Sequence, residues 1–411
     1  MPSPPAFPDI GVIGMMTDTW GGPWQPRHHV MTRLTKYFRV AWVDPAKDWR
    51  VHWWPGRARQ LAQPGWNHPA PPEIEVIRSS RWLPSLYRPR ALARWVRQER
   101  VRRAADRLRA RGARRLVLYL WRPEFDYALD ALAHDVSCYH LDDEYTFFYQ
   151  NTEVDPPVPD AEAALLRRVD QVILHSPGLM EKKGGYNPHT ILVPNGADCS
   201  AFSTPTDEPD DMRAIPRPRI GYVGHVKDEL NVPMLLGIAR KRADWSFVLV
   251  GPIRPFRRNA AAFEDFLRLP NVFALGTKAV TTLPGYVQHL DVCVMPYIEN
   301  DYTQYIYPMK LHEYLATGRP VVATPIRSLE LFGKELRLAR TDQEWWDALH
   351  EALAEPVGSE AADRRRHVAE RHDWDLLVQE IADTIGERLR SGRPGPGGVP
   401  AQSHSAVPVG T

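Results

Sequence analysis

Cysteine is scarce in this 411-residue chain: Cys138, Cys199 and Cys293 are all it has. Three scattered thiols exclude a disulfide framework and a cysteine-built zinc site, and they suit a reducing compartment. Net charge is as scarce, because 52 Lys and Arg stand against 50 Asp and Glu. No global field therefore draws the chain to nucleic acid. Long apolar runs are missing too, and none approaches the roughly 18 residues that cross a bilayer. Met1 to Pro8 has neither the basic start nor the apolar stretch of a secretion signal. A cytoplasmic protein with no nucleic-acid partner is the expectation.

Two residue types are in excess. Proline, at 39 residues, is nearly twice its ordinary share of about 5%. Of the 14 tryptophans, 10 fall within the first 121 residues. Such rings build either a Trp-rich core or a contact face for sugars, lipids or a partner, since each joins a flat apolar surface to an N–H. Twelve arginines crowd residues 88–115, against Glu99 and Asp106. Leu92, Trp95, Val96, Val101, Ala104, Ala105 and Leu108 recur there at helical spacing. This basic helix is either a solvated face or a device for docking on an anionic membrane surface.

The pattern along the chain is α/β. Ile10 to Met16 reads as a buried strand, followed by a breaker cluster from Thr17 to Pro23, a helix over Met31 to Tyr37 and a strand at Val40 to Val43. Residues 45–90 resist ordering. Strands are expected again at Leu116 to Leu120, Val136 to Leu141, Gln171 to His175 and Ile191 to Val193. Residues 204–218, rich in proline and acids, read as a linker. Beyond them strands starting at Arg219, Trp245, Val272, Val292 and Pro320 alternate with helices. The expected architecture is two Rossmann-like, doubly wound parallel-sheet domains facing across a cleft. The first spans 1–203 and is completed by a crossover helix over 375–390. The second spans 219–374, and the tail, 391–411, is too poor in apolar anchors to fold.

In such sheets ligands bind at the carboxyl ends of the strands. Gly224, followed by His225 and Lys227, ends one strand, and Gly251 ends the next. Glycine there lets a diphosphate approach backbone N–H groups at a helix N-terminus, although a plain tight turn has the same sequence. Tyr297 ends a third strand, ahead of a polar loop that includes Asn300 and Thr303. Lys310 and Glu313 then lie three apart at the start of a helix. That spacing fits a surface ion pair, and it equally fits a lysine on phosphate beside a carboxylate on a ribose diol.

The stretch KLHEYLATGRPVV from Lys310 to Val322 resembles the signature helix of GT-B glycosyltransferases of the group-1, family-4 type. Val193-Pro194-Asn195-Gly196-Ala197-Asp198 is similar to the motif closing their first domain, and Val169 to Leu179, Trp245 to Gly251 and Asn271 to Gly276 also fit. Gly21-Gly22 after the first strand fits more loosely. The resemblance implies a nucleotide-sugar donor, a UDP-sugar being expected, with Glu313 on its ribose and Lys310 and Gly224 on its diphosphate. It implies no metal cofactor. The glycan, lipid-linked or small-molecule acceptor would lie on the first domain. The family's usual E-x7-E pair has Tyr305 at its first position here, and its first-loop Arg and Lys-Gly are absent. The pattern P-x-K-x-x-E, with Asn300 and Thr303 upstream, instead resembles the teichuronic-acid-type transferases of the cell envelope, and the helix is also similar to that of the xanthan-type glucuronosyltransferases.

His140-Leu141-Asp142-Asp143-Glu144 closes a strand of the first domain. An inverting transferase needs a base for the acceptor hydroxyl, and Asp142, with Asp143 as fallback, can be one. A helix cap and a metal site are the competing readings of the pair. Arg27, His28 and His29, where the first helix begins, could steer an anionic acceptor or donor or simply be solvated. Two functions from other classes share the fold: a non-catalytic accessory subunit that binds sugar nucleotide, and a sugar-nucleotide epimerase.

Overall fold

The computed structural model describes residues 4–50, 69–86, 88–147 and 158–392. The expected disordered tail thus falls, from residue 393, outside the described residues. Two sheets form, both wholly parallel. The first runs β3-β2-β1-β4-β5-β6-β7, with β1 Ile10–Met15, β2 Arg39–Val43, β3 Ile74–Ile77, β4 Arg115–Leu120, β5 Val136–Leu141, β6 Gln171–Leu174 and β7 Thr190–Leu192. The second runs β10-β9-β8-β11-β12-β13, with β8 Arg219–Val223, β9 Ser246–Val250, β10 Val272–Gly276, β11 Val292–Met295, β12 Val321–Ala323 and β13 Arg337–Leu338. Every residue of β1, β5, β8, β9 and β11 is buried. That is why these strands read as continuous apolar runs: helices cover both faces of a parallel sheet.

Several boundaries differ from expectation for identifiable reasons. The first helix is Pro26–Leu34, starting five residues early. Pro26 has a preset φ and no N–H to lose at the first turn, and Gln25 caps the end through a reciprocal bond with His28. Leu92 and Trp95, expected on the apolar side of helix Arg90–Ala110, are 45% and 49% exposed. Ala93, Val96, Val101, Ala104, Ala105 and Leu108 make that side instead. Residues 204–218 hold no helix or strand, yet they are fastened. Met212 and Ile215 sit in the second domain's core, and Arg219 donates to the Met212 and Ile215 carbonyls.

The last helix, Trp374–Ser391, leaves the second domain and packs on the first. Its Trp374, Leu377, Val378, Ile381, Ile385 and Leu389 share a core with β1, β2 and helix Pro26–Leu34. Arg33 and Lys36 pair with Asp375 at 2.7 and 2.8 Å. The two chain crossings meet at Gly196, where a Cβ would lie 2.3 Å from the His372 carbonyl oxygen. Only glycine fits there. Beside it, Trp374 N–H donates to the Ala197 carbonyl at 3.0 Å.

Candidate active site

The strand ends of both domains open on one cavity of about 330 Å³. On the second domain, β8 and β9 stop at Gly224 and Gly251, whose φ angles of +140° and +138° suit glycine alone. A Cβ on Gly251 would also sit 2.1 Å from the Gly224 carbonyl oxygen. The strand ends therefore close to within backbone contact; the Gly224 N–H donates to the Val250 carbonyl and the Gly251 N–H to the Gly276 carbonyl, each at 2.8 Å, so neither is the open donor for a diphosphate that the sequence suggests.

Helix Lys310–Thr317 points its N-terminus at this turn. Lys310 and Glu313 line the cavity without pairing with each other. Lys310 Nζ instead donates to the Tyr297 hydroxyl at 3.1 Å and lies 4.9 Å from the Tyr222 ring centre, over its face. Burial pushes the Glu313 carboxyl up to about 7, against the opposing pull of Lys310. His225, also on the wall, is held down at about 4 by burial and by Arg254, Lys227 and Lys310. Lys227 and Lys310 bring positive charge to the wall around the β8 end, and its histidine is neutral at pH 7.

Across the cavity stand Asp142 and Asp143, and they are not equivalent. Asp142 pairs with Arg27 at 2.9 Å and accepts from the Tyr145 hydroxyl. Burial alone would raise its carboxyl, but Arg27 and Tyr145 outweigh burial and hold it below the usual range. Asp143 accepts from the Glu144 N–H at 2.8 Å and from Tyr302 of the second domain at 3.0 Å. Burial first, and the neighbouring Asp142 charge second, push its carboxyl up to about 6.

Of the residues singled out from sequence, the structure brings Asp142, Asp143, Gly224, His225, Lys227, Gly251, Tyr297, Lys310, Glu313 and Arg27 to the cavity wall. Others lie outside it. His28 is buried between Trp24 and Trp42, at 4.9 and 4.5 Å, and caps its helix, so it is packed rather than available. His140 stacks on Trp121 at 4.2 Å and bonds the Tyr119 hydroxyl at 2.8 Å; burial lowers it to about 3. Asn300 and Thr303 close a local turn, with Asn300 Oδ1 accepting the Tyr302 and Thr303 N–H groups at 2.9 Å each. They aim Tyr302 rather than face the cleft. Gly21 and Gly22 form the turn after β1, where the Gly22 N–H reaches the Thr19 carbonyl at 2.8 Å.

Arg122, His175 and Glu229 also line the cavity, and so does Lys278, which the Gly276-Thr277-Lys278 strand end marks in sequence. They come singly from four separate loops, and the signal they share is that each follows a strand. No group of three or more metal-ligating side chains occurs among the described residues. None of the described helices is long and apolar enough to cross a membrane.

The profile of the family Glycosyl transferases group 1 matches residues 217–355. The Bacillus subtilis (strain 168) protein TuaH, named as a teichuronic acid biosynthesis glycosyltransferase, is 30% identical over 243 residues, which are 56% of this chain and 60% of that protein. Anabaena HepE, solved in complex with UDP and glucose, superposes with a TM-score of 0.64 at 16% identity, over 92% of this chain and 99% of HepE. An E. coli trehalose-6-phosphate protein bound with UDP-2-fluoro glucose superposes at 0.62 and 11% identity, over 93% and 99%. The fold is GT-B.

Proposed function

From a glycosyl transferases group 1 domain that closes on a second Rossmann-like domain, we propose that this protein moves a sugar from a UDP-sugar to an acceptor hydroxyl, in the synthesis of a cell-envelope polysaccharide, glycolipid or related glycoconjugate. One observation carries the reading: Glu313, Lys310, Gly224 and Gly251 share a single cavity with Asp142 and Asp143 of the other domain. Glu313 accepts the ribose diol. Lys310 and the helix N-terminus take the diphosphate. The sugar then points at the first domain, whose Arg27, Asp142 and Asp143 receive the acceptor. The ligands named for HepE and the E. coli protein, UDP with glucose and UDP-2-fluoro glucose, support a donor of this class.

A thermal-shift panel of nucleotides and UDP-sugars at pH 6 and pH 8 tests this. A ligand at 100 times its Kd stabilises the fold by about 2.7 kcal/mol. Ribose hydroxyls donate to an ionised carboxylate, and Glu313 titrates near 7. UDP-sugar affinity should therefore fall as the pH drops from 8 to 6, by up to about tenfold, and Glu313→Gln should flatten that profile. A panel in which neither UDP nor any UDP-sugar shifts the transition overturns the reading. Binding with no UDP released to any acceptor identifies an accessory subunit instead, and an altered sugar still on its nucleotide identifies an epimerase.

We place the reaction in the cytoplasm and without a bound metal, the Lys310 ammonium taking up the diphosphate charge; undiminished turnover in EDTA is the check. The basic segment 88–115 extends the proposal to the membrane. Arg90, Arg94, Trp95 and Leu92 face outward from its helix, and nearby in sequence Trp82 is 73% exposed. Arginines near an anionic surface contribute about 1 kcal/mol each, and exposed indoles settle at headgroup depth. Vesicles containing phosphatidylglycerol should retain the protein at low salt, and pure phosphatidylcholine vesicles should not. Arg90→Gln with Arg94→Gln should weaken that retention, and equal recovery on both vesicle types would exclude the contact.

A further inference from the structure

Glu229 lies in the loop between β8 and helix Val232–Lys241. Its backbone is fixed from the next strand end. The Ile298 N–H donates to the Glu229 carbonyl at 2.8 Å, and Leu230 forms an antiparallel bridge with Tyr297. The side chain lines the cavity. One carboxylate oxygen, Oε1, is 3.2 Å from Lys227 Nζ. The other, Oε2, is buried and has no hydrogen-bond partner. A buried carboxylate oxygen without a donor carries an uncompensated desolvation cost, and a hydroxyl supplied by a ligand would relieve it.

The position of Glu229 says which part of a ligand arrives there. Glu313 lies one turn deeper along its helix than Lys310. Beyond Lys310, towards the first domain, Lys227 sits 6.0 Å from the Tyr302 ring centre, and Tyr302 donates to Asp143 across the cleft. A nucleotide seated with its ribose on Glu313 and its diphosphate on Lys310 therefore carries its sugar into the space beside Glu229 and Asp143. Pyranose hydroxyls are donors, and Glu229 Oε2 is an acceptor still without one.

Resting on the donor-site reading above, we infer that Glu229 Oε2 accepts a hydroxyl of the transferred sugar. Tyr305, which stands where the resemblance puts the family's first glutamate, is turned away to Lys182 and Phe147. Glu229 supplies a carboxylate from another loop of the same domain, held in place by Lys227.

Calorimetric titration of UDP and UDP-glucose into wild type, Glu229→Ala and Glu229→Gln tests this. Glu229→Ala should lose about tenfold in UDP-glucose affinity, the usual worth of a charge-assisted bond. Its UDP affinity should hold or improve, because Lys227 is released. Glu229→Gln, which keeps the volume and one accepting oxygen, should fall between. Equal losses for UDP and UDP-glucose would reduce Glu229 to a loop anchor and overturn the inference. So would unchanged UDP-glucose affinity in both variants. In each of those cases UDP binding leaves the donor-site reading standing, whereas a wild type that binds no UDP removes both.

Discussion

Asp143→Asn should lower turnover by ~10²–10⁴, the usual contribution of a general base, while leaving UDP-sugar affinity nearly intact. The pair of aspartates at the end of β5 divides by environment. Asp142 is committed to Arg27 and Tyr145, and that ion pair makes it a reluctant proton acceptor. Asp143 has its carboxyl at about 6, so it is ionised at neutral pH and still basic enough to take a hydroxyl proton. The wild-type rate should accordingly rise through pH 6 and level off above it, and the Asn variant should show no such step. Asp142→Asn should act differently. It strips Arg27 of one of its two carboxylate partners and should weaken acceptor binding more than the chemical step. Near-normal rates in both variants would exclude a base on this strand and leave a base-free retaining reaction as the account.

Lys310→Met should cost about 10²-fold in affinity for UDP and little for uridine. A charge-assisted bond to phosphate contributes about 1.5–3 kcal/mol, and uridine has no charge for it to meet. Met keeps most of the stem volume between Tyr222 and Tyr297, so the loss reads the ammonium and not a cavity. Gly224 leaves little slack, since a Cβ there would come within 2.8 Å of Lys310 Cε. The lysine is held over the glycine turn by two tyrosines before any ligand arrives. Calorimetric titration of both ligands decides the matter, and equal losses for uridine and UDP would remove the phosphate role.

How much of this was legible depended on whether a residue's partners were local. The strands of both sheet centres announced themselves because burial on both faces demands an unbroken apolar run. β3, reading Ile-Glu-Val-Ile, did not, since three of its four residues are only half-buried at the sheet edge. β13 has two residues and is defined only by its pairing with β12. On the donor side, Gly224, Gly251, Lys310 and Glu313 stood out because strand ends and one short helix carry them in sequence order. Glu229, Arg122, His175 and Lys278 meet only through tertiary structure. His28 and His140 show the opposite failure: in sequence, a histidine stacked on tryptophan looks the same as one awaiting a ligand. Asn300 and Thr303 were noticed for the right loop, but the turn they build aims Tyr302.

The last helix also imposes an order on synthesis. The seventh strand of the first sheet is complete at Leu192, yet the helix that covers β1 and β2 begins only at Trp374. About 180 residues separate them, and a ribosome adding roughly 5–20 residues per second needs about 10–40 s to bridge that gap. Throughout that interval the nascent first domain presents an apolar trough where Trp374, Leu377, Ile381 and Ile385 will lie. The second domain, complete by then, is free to fold beside it. The first domain is thus finished only after the second has been made, and helix Trp374–Ser391 is what seals it.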